Sequence, residues 1–310
     1  MRLYSASMAN LGRVVAASVA AITAITAITA IAFGTGCGRS NASPPVSPPP
    51  GKQWSLVFDA GFSGDQIDSS KLTPCFDWNA GDCTSSFNKG REHFMPSQVT
   101  VANGVARLSA EPLAPPYPDS ACLDGVCTYR SGMLSTARPN PSEPYLYEFT
   151  YGYVETRLKL PRTPGLLTAF WMLPTDRDYK YGNEIDILEN VSGKPDMVYQ
   201  TYQYNDRRDA YKVNDIVQET NGACPKIDYT TDFHTYGVDW QPDHVAFFVD
   251  GLECGRFTAT DASQIVDEPM QLILSLGVDT EWSRAAGLVL PSLDAADHVD
   301  VEYLRVWQAT

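Results

Sequence analysis

Residues 182–190 read Gly182-Asn183-Glu184-Ile185-Asp186-Ile187-Leu188-Glu189-Asn190, three carboxylates interleaved with three aliphatics. From Glu184 to Ile187 acid and aliphatic alternate strictly, the period of a β-strand with one buried face. Glu184 and Asp186 then share a face, while Ile185 and Ile187 enter a core. Glu189 comes five residues after Glu184, on the wrong parity. One extra residue bulged out around Ile187-Leu188 restores it, and bulges recur beside active sites. With that bulge, three carboxylates line one cleft.

Crowded carboxylates cannot ionise independently, because like charge and partial burial raise at least one pKa. Two carboxyls with separated pKa values suit glycosidic-bond chemistry, one as nucleophile and one as proton donor. A solvated acidic strand edge is the plainer alternative, since charge runs are often just exposed faces. The neighbourhood weighs against it. Ala169-Phe170-Trp171-Met172-Leu173-Pro174 reads as an apolar strand carrying Trp171, and the flat C–H faces of sugars stack on such rings.

The rest of residues 53–310 has the same grain. Short apolar or alternating runs recur at 54–58, 99–101, 106–110, 153–160, 166–173, 197–204, 233–240, 245–249, 270–276 and 299–307. Asn103-Gly104, Asp124-Gly125 and Asp250-Gly251 are hairpin-type turns, because Gly accepts positive φ. The clearest hairpin joins 244–249 to 252–257. Amphipathic helical patterns of twelve or more residues are missing from this part. Many evenly spaced strands predict an all-β sandwich or jelly roll in one domain.

Composition narrows the function. The 310 residues hold 23 Lys plus Arg against 37 Asp plus Glu, a net charge of -14, which argues against a nucleic-acid partner. Residues 1–37 look like an export signal: Arg2 and Arg13, an apolar run with an Ala-Ile-Thr repeat, then small residues before Cys37. Cys37 is the candidate lipidation site, with ordinary cleavage or an uncleaved anchor as alternatives. Residues 38–52 are a Ser/Pro-rich tether. Without Arg2 and Arg13, 21 basic residues face 37 acids, a net charge of -16. Six cysteines remain, and an exported protein meets oxidising conditions. Proximity favours Cys75–Cys83, Cys122–Cys127 and Cys224–Cys254 among fifteen pairings.

Several collinear segments resemble the family 16 glycoside hydrolases. NEIDILE (183–189) is similar to the bulged active-site strand of laminarinase-like members. YGYVETR (151–157), GLLTAFWMLP (165–174), FHTYGVDWQPDHVAFFVDG (233–251) and VEYLRVWQ (301–308) resemble further family strands. The resemblance implies a β-jelly-roll sandwich of two curved antiparallel sheets with a concave substrate cleft. It implies a retaining endo-glycosidase acting on a β-linked polysaccharide, β-1,3-glucan first, with other β-glucans, galactans or transglycosylation as alternatives. Glu184 would be the nucleophile, Asp186 the assisting carboxylate and Glu189 the general acid/base. Trp171, Gln203 and Trp282 would contact substrate, Gln203 standing where these members usually carry His. No cofactor is implied for catalysis. A structural calcium on the convex face would involve Glu302, with Gly61 in place of a usual acid. With the export signal and Cys37, the expectation is an extracytoplasmic monomer, touching a membrane only through an N-terminal lipid or anchor.

Two rival classes remain. A non-catalytic glycan-binding jelly roll would keep the tryptophans but could dispense with the acids. A polysaccharide lyase would want basic groups and a Tyr or His base. His234 and Trp240 read as core residues of a hairpin. Arg91 and Glu92 could touch sugar hydroxyls, although a surface ion pair is the commoner use of such residues.

Overall fold

Turns that accept positive φ delimit the strands. Asp250 and Gly251 adopt φ of 50° and 77° and close the 244–258 hairpin, and Asn103 and Gly104 do the same at 54° and 82°. Asp124 and Gly125 also have positive φ, but inside a seven-residue connection, because the flanking pair is Pro118 with Val126. The computed structural model describes residues 48–176, 183–204, 212–217, 224–290 and 296–310, with 212–217 as backbone only.

Sixteen strands occur among these residues. The first eight are β1 (Trp54–Gly61), β2 (Glu92–Phe94), β3 (Val99–Ala102), β4 (Val105–Pro118), β5 (Val126–Ser131), β6 (Met133–Ser135), β7 (Gly152–Lys159) and β8 (Leu166–Pro174). The others are β9 (Glu184–Val191), β10 (Tyr199–Tyr204), β11 (Lys212–Val217), β12 (His234–Gln241), β13 (His244–Val249), β14 (Leu252–Thr258), β15 (Met270–Val278) and β16 (Asp297–Ala309). One short α-helix, α1 (Glu281–Ala285), follows β15. The expected all-β sandwich is present. A larger sheet runs β14-β13-β12-β7-β16-β4-β5-β2, with β1 added to β16 and β3 to β4. A smaller sheet runs β11-β10-β9-β8-β15-β6. Pairing is antiparallel except between β2 and β5, which run parallel.

Between the sheets lies one large apolar cluster. Phe170 and Met172 of β8, Ile185, Ile187 and Leu188 of β9, and Leu272, Leu274 and Leu276 of β15 face Val154, Val238, Phe247, Leu304 and Val306 of the larger sheet. Trp240 is fully buried, lies edge-on to Phe149 and Tyr151, and donates Nε1–H to the Val266 carbonyl at 3.0 Å. It is a core residue, as its strand pattern implies. His234 is instead half-buried, with Nδ1 2.7 Å from the Asp250 carboxylate. Trp240→Ala removes a large ring and orphans the Val266 carbonyl. We expect a loss of about 3–5 kcal/mol, read as a lower urea midpoint at unchanged slope.

Cysteines 75 and 83, 122 and 127, and 224 and 254 form three disulfides, the pairing that proximity favours. Cys37 and the signal and tether residues up to position 47 lie outside the described residues.

Candidate active site

The expected bulge is at Ile187. On β8, Phe170 opposes Leu188 and Trp171 opposes Asp186, so Ile187 is the extra residue. On β10, Tyr199 opposes Glu189 and Thr201 opposes Asp186, with the same shift between them. Ile187 and Leu188 therefore both point into the core, where each is fully buried. The bulge leaves a carbonyl outside the ladder, and buried Gln200 donates Nε2–H to the Ile187 oxygen at 3.0 Å. Composition and periodicity gave no sign of that prop.

Opposed residues on neighbouring strands share a face. One row reads Thr201, Asp186, Trp171, Ile273 and Ser135, and a second reads Tyr199, Glu189, Ala169, Ser275 and Met133. Gln203 opposes Glu184 one step along the strands. The three acids thus emerge together on the outer face of the smaller sheet, with Gln203 and Trp171 beside them. Asp186 is 2% exposed and Glu189 7%, while Glu184 keeps more contact with solvent. Alternate positions on a strand lie about 6.6 Å apart, so Glu184 and Glu189 meet only by leaning across Asp186.

The electrostatics follow from this crowding. Burial foremost, and the Glu189 charge in addition, push the Glu184 carboxyl up to about 7. A hydrogen bond from Asp186 acts the other way. That bond needs a proton between the two carboxyls. Gln203 Nε2–H donates to the Asp186 Oδ2 atom at 3.3 Å, so Asp186 is held between Gln203 and Glu184. Burial and like charge thus hold the Glu184 carboxyl above the ordinary carboxylate range, and the three acids titrate together as one group.

Trp171 is 8% exposed and its Nε1–H reaches Ser275 Oγ at 3.4 Å. It forms cleft floor rather than a free-standing platform. Trp282, on α1, meets Tyr199 edge-on with centroids 4.9 Å apart, and Tyr199 is the residue opposite Glu189. Tyr199 escaped the sequence reading. Alternation along 199, 201 and 203 was the available signal, since it puts Tyr199 on the face of Gln203.

Loop contacts hold α1. Arg284 donates to the Lys89 carbonyl at 3.0 Å and to the Asp279 carbonyl, and Glu281 N–H donates to the Asn88 carbonyl at 3.3 Å. Arg91 pairs with the Asp279 carboxylate at 2.6 Å. Glu92 departs from expectation: it is 1% exposed and accepts the Val278 N–H at 2.9 Å, so it is no surface ion-pair partner. Burial pushes its carboxyl up to about 8. It ties β2 to the end of β15.

Glu302 lies far from these acids in the fold. It is the residue skipped between the Val301–Leu158 and Tyr303–Arg157 pairs of β16 and β7, and the Arg157 guanidinium binds its carboxylate. Gly61 opposes neighbouring Tyr303 and brings no carboxylate. Calcium takes six to eight oxygens. Glu302 and Gly61 bring one carboxylate to that demand, and it is paired with Arg157, so the remaining oxygens would have to be backbone carbonyls or waters. Among the described residues, the one cluster of three ligating side chains is His93, Asp119 and Cys127, and Cys127 is disulfide-bonded.

Comparison with known proteins bears on the fold and the family. The model of the glycosyl hydrolases family 16 matches residues 133–304. A beta-glucanase of Rhodothermus marinus is 33% identical over 174 residues, covering 52% of this chain and 58% of the relative. Glucan endo-1,3-beta-glucosidase A1 of Niallia circulans is 24% identical over 270 residues, covering 82% of this chain and 38% of the relative. The chain thus spans about half the length, or less, of these curated relatives. Among solved structures, the catalytic domain of an endo-1,3-beta-glucanase from Thermotoga petrophila has a TM-score of 0.64 at 22% identity, covering 84% of this chain and 99% of that one. The endo-beta-1,3-glucanase of Pyrococcus furiosus has a TM-score of 0.63 at 24% identity, covering 86% and 99%. Those two likenesses speak to the fold. The matched family model covers more than half of the chain, from β6 through the three acids of β9 into β16, and the chain belongs to the glycosyl hydrolases family 16.

Proposed function

We propose that this protein is a retaining endo-β-glucanase, with β-1,3-glucan as its first substrate. The observation that carries the reading is the bulge at Ile187, which turns Glu184, Asp186 and Glu189 onto one sheet face. Glu184 attacks the anomeric carbon while Glu189 gives its proton to the leaving glycosidic oxygen. A covalent glycosyl ester on Glu184 results. Glu189, now ionised, takes a proton from water, whose oxygen attacks the same carbon and releases Glu184. Asp186, donating to Glu184 and held by Gln203, keeps the nucleophile oriented and spreads its charge. Trp171 supports the sugar from below, and Trp282 with Tyr199 forms the wall next to Glu189. The printed activities of the Rhodothermus marinus and Niallia circulans relatives, beta-glucanase and glucan endo-1,3-beta-glucosidase, support the choice of substrate.

The setting belongs to the same proposal. Residues 1–37 direct export, Cys37 carries a lipid, residues 38–52 are a tether, and residues 53–310 are a monomeric catalytic domain working outside the cytoplasm. Palmitate labelling of the expressed full chain, lost in Cys37→Ser, tests the lipid.

The activity is tested by incubating the protein with laminarin, lichenan, agarose and porphyran, measuring reducing ends and sizing products. We expect release of internal fragments from laminarin first, with retained β configuration at the new ends. Binding of a glucan without any new reducing ends would leave a non-catalytic lectin instead. Unsaturated ends would point to a lyase.

A further inference from the structure

Among the described residues, two aromatic side chains are strongly exposed, Trp78 at 45% and Tyr117 at 47%. Trp78 is tied to the cleft. Its ring lies flat on Phe76, with centroids 4.4 Å apart and planes 9° from parallel. Phe76 is fully buried and belongs to a small apolar cluster with Phe94, Met133, Ala169, Trp171 and Ile273. Ala169, Trp171 and Ile273 stand in the rows that contain Glu189 and Asp186. Phe76 therefore rests on the cleft floor, and Trp78 is stacked over it while keeping 45% of its surface exposed.

The ring is also held still. Phe87 meets it edge-on at 5.7 Å. The Cys75–Cys83 disulfide closes the loop that carries it. Next in sequence, Asp77 accepts from Arg138 Nε at 2.5 Å, and the Arg138 guanidinium lies 4.5 Å over the Tyr145 ring. A tryptophan that only sealed the core would bury both faces. A fixed, flat ring that stays this exposed is what a pyranose C–H face stacks on.

Position gives the ring its role. From Asp186 the row passes Trp171 and Ile273 to Ser135, and Thr73 bridges Ser135 beyond the sheet edge. Three to four strand spacings, about 14–19 Å or several sugar rings, separate Asp186 from Ser135 and Thr73, and the loop that carries Trp78 leaves from Thr73. Asp77 is paired with Arg138, but the chain as a whole carries a net charge of -14, which disfavours sulfated or uronate sugars.

We propose that Trp78 is a remote stacking platform that extends the cleft past β6 and gives the protein a preference for long, neutral glucan chains. The inference rests on the β-glucanase reading above, and names how that site selects chain length.

Trp78→Ala and Trp78→Phe are compared with the unsubstituted protein on laminari-oligosaccharides of three to eight units. We expect kcat/KM of Trp78→Ala to fall about tenfold on the longest chains, equivalent to about 1.4 kcal/mol, and less than twofold on the trisaccharide. Trp78→Phe should recover most of the loss. Near-UV circular dichroism checks that both variants fold. An equal loss at every length means a structural role and overturns the proposal, as does no loss at any length. A second arm reads retardation in native gels containing laminarin or carboxylated glucan. If the unsubstituted protein cleaves nothing, the glucanase reading fails on its own. Weaker laminarin retardation of Trp78→Ala would then still uphold the platform, and equal retardation would refute it.

Discussion

Glu184→Gln is expected to lower kcat/KM on laminarin by about ten-thousandfold or more, the scale on which removing a covalent nucleophile acts. The amide keeps the shape of the side chain but cannot attack carbon or leave as a carboxylate. The strand should stay folded, because the bulge is held by the core positions of Ile187 and Leu188 and by Gln200 rather than by Glu184. Glucan binding should therefore survive. Glu184→Ala makes the assignment sharper. With an aryl β-glucoside that needs no acid assistance, added azide can enter the emptied space and attack directly. The product expected is the α-glycosyl azide, one inversion instead of two. A variant that keeps more than a tenth of the parent rate, or azide product with β configuration, would move the nucleophile to another carboxylate. Asp186 is then the one to examine.

That the three acids share one face was legible because strand parity is a local property. Glu184, Asp186 and Glu189 can share a face only with one residue out of register, and the structure puts that residue at Ile187. Turn chemistry was equally local: Asp250-Gly251 and Asn103-Gly104 close hairpins where their dipeptides demand it. What escaped depends on partners distant in the chain. Arg157 lies 145 residues before Glu302, so nothing near Glu302 announced that a guanidinium meets its carboxylate. Glu92 sits among polar neighbours in sequence, yet its partner is the Val278 N–H at the end of β15. Segment 112–118 is rich in proline, which cannot donate to a sheet ladder, and no strand was expected there. It continues β4 because only Pro112, Tyr117 and Pro118 pair there with β5, leaving the intervening residues out of the ladder. The loop carrying Trp78 has no periodicity at all. Its rings are organised by a disulfide and by stacking on a floor contributed from β6, β8 and β15.

Glu189→Gln should divide the two steps of the reaction by leaving group and by pH. On laminarin, whose leaving oxygen is a poor one, we expect kcat/KM to drop about a thousandfold, within the range that proton transfer contributes. On a dinitrophenyl glycoside the first step needs no proton, so the loss there should be small and the glycosyl-enzyme should accumulate as a burst. The pH profile carries the stronger constraint. In the parent protein the Glu184 carboxyl is raised to about 7, by burial first and by the Glu189 charge after it. In the proposed scheme, an aryl substrate needs no proton, so its acid limb of kcat/KM marks ionisation of Glu184 beside a charged Glu189; on laminarin the active form carries one proton on the pair, and the alkaline limb marks its loss. Glutamine at 189 removes a negative neighbour, so the carboxylate form of Glu184 becomes easier to reach. The acid limb on the aryl substrate should therefore move to lower pH, and the alkaline limb should flatten. Azide added to Glu189→Ala should give the β-glycosyl azide, since it attacks the ester after the first inversion. An acid limb that stays in place would mean that Glu189 exerts no charge on Glu184. The two carboxylates would then not act as one pair, and the double-displacement scheme would have to be rebuilt around Asp186.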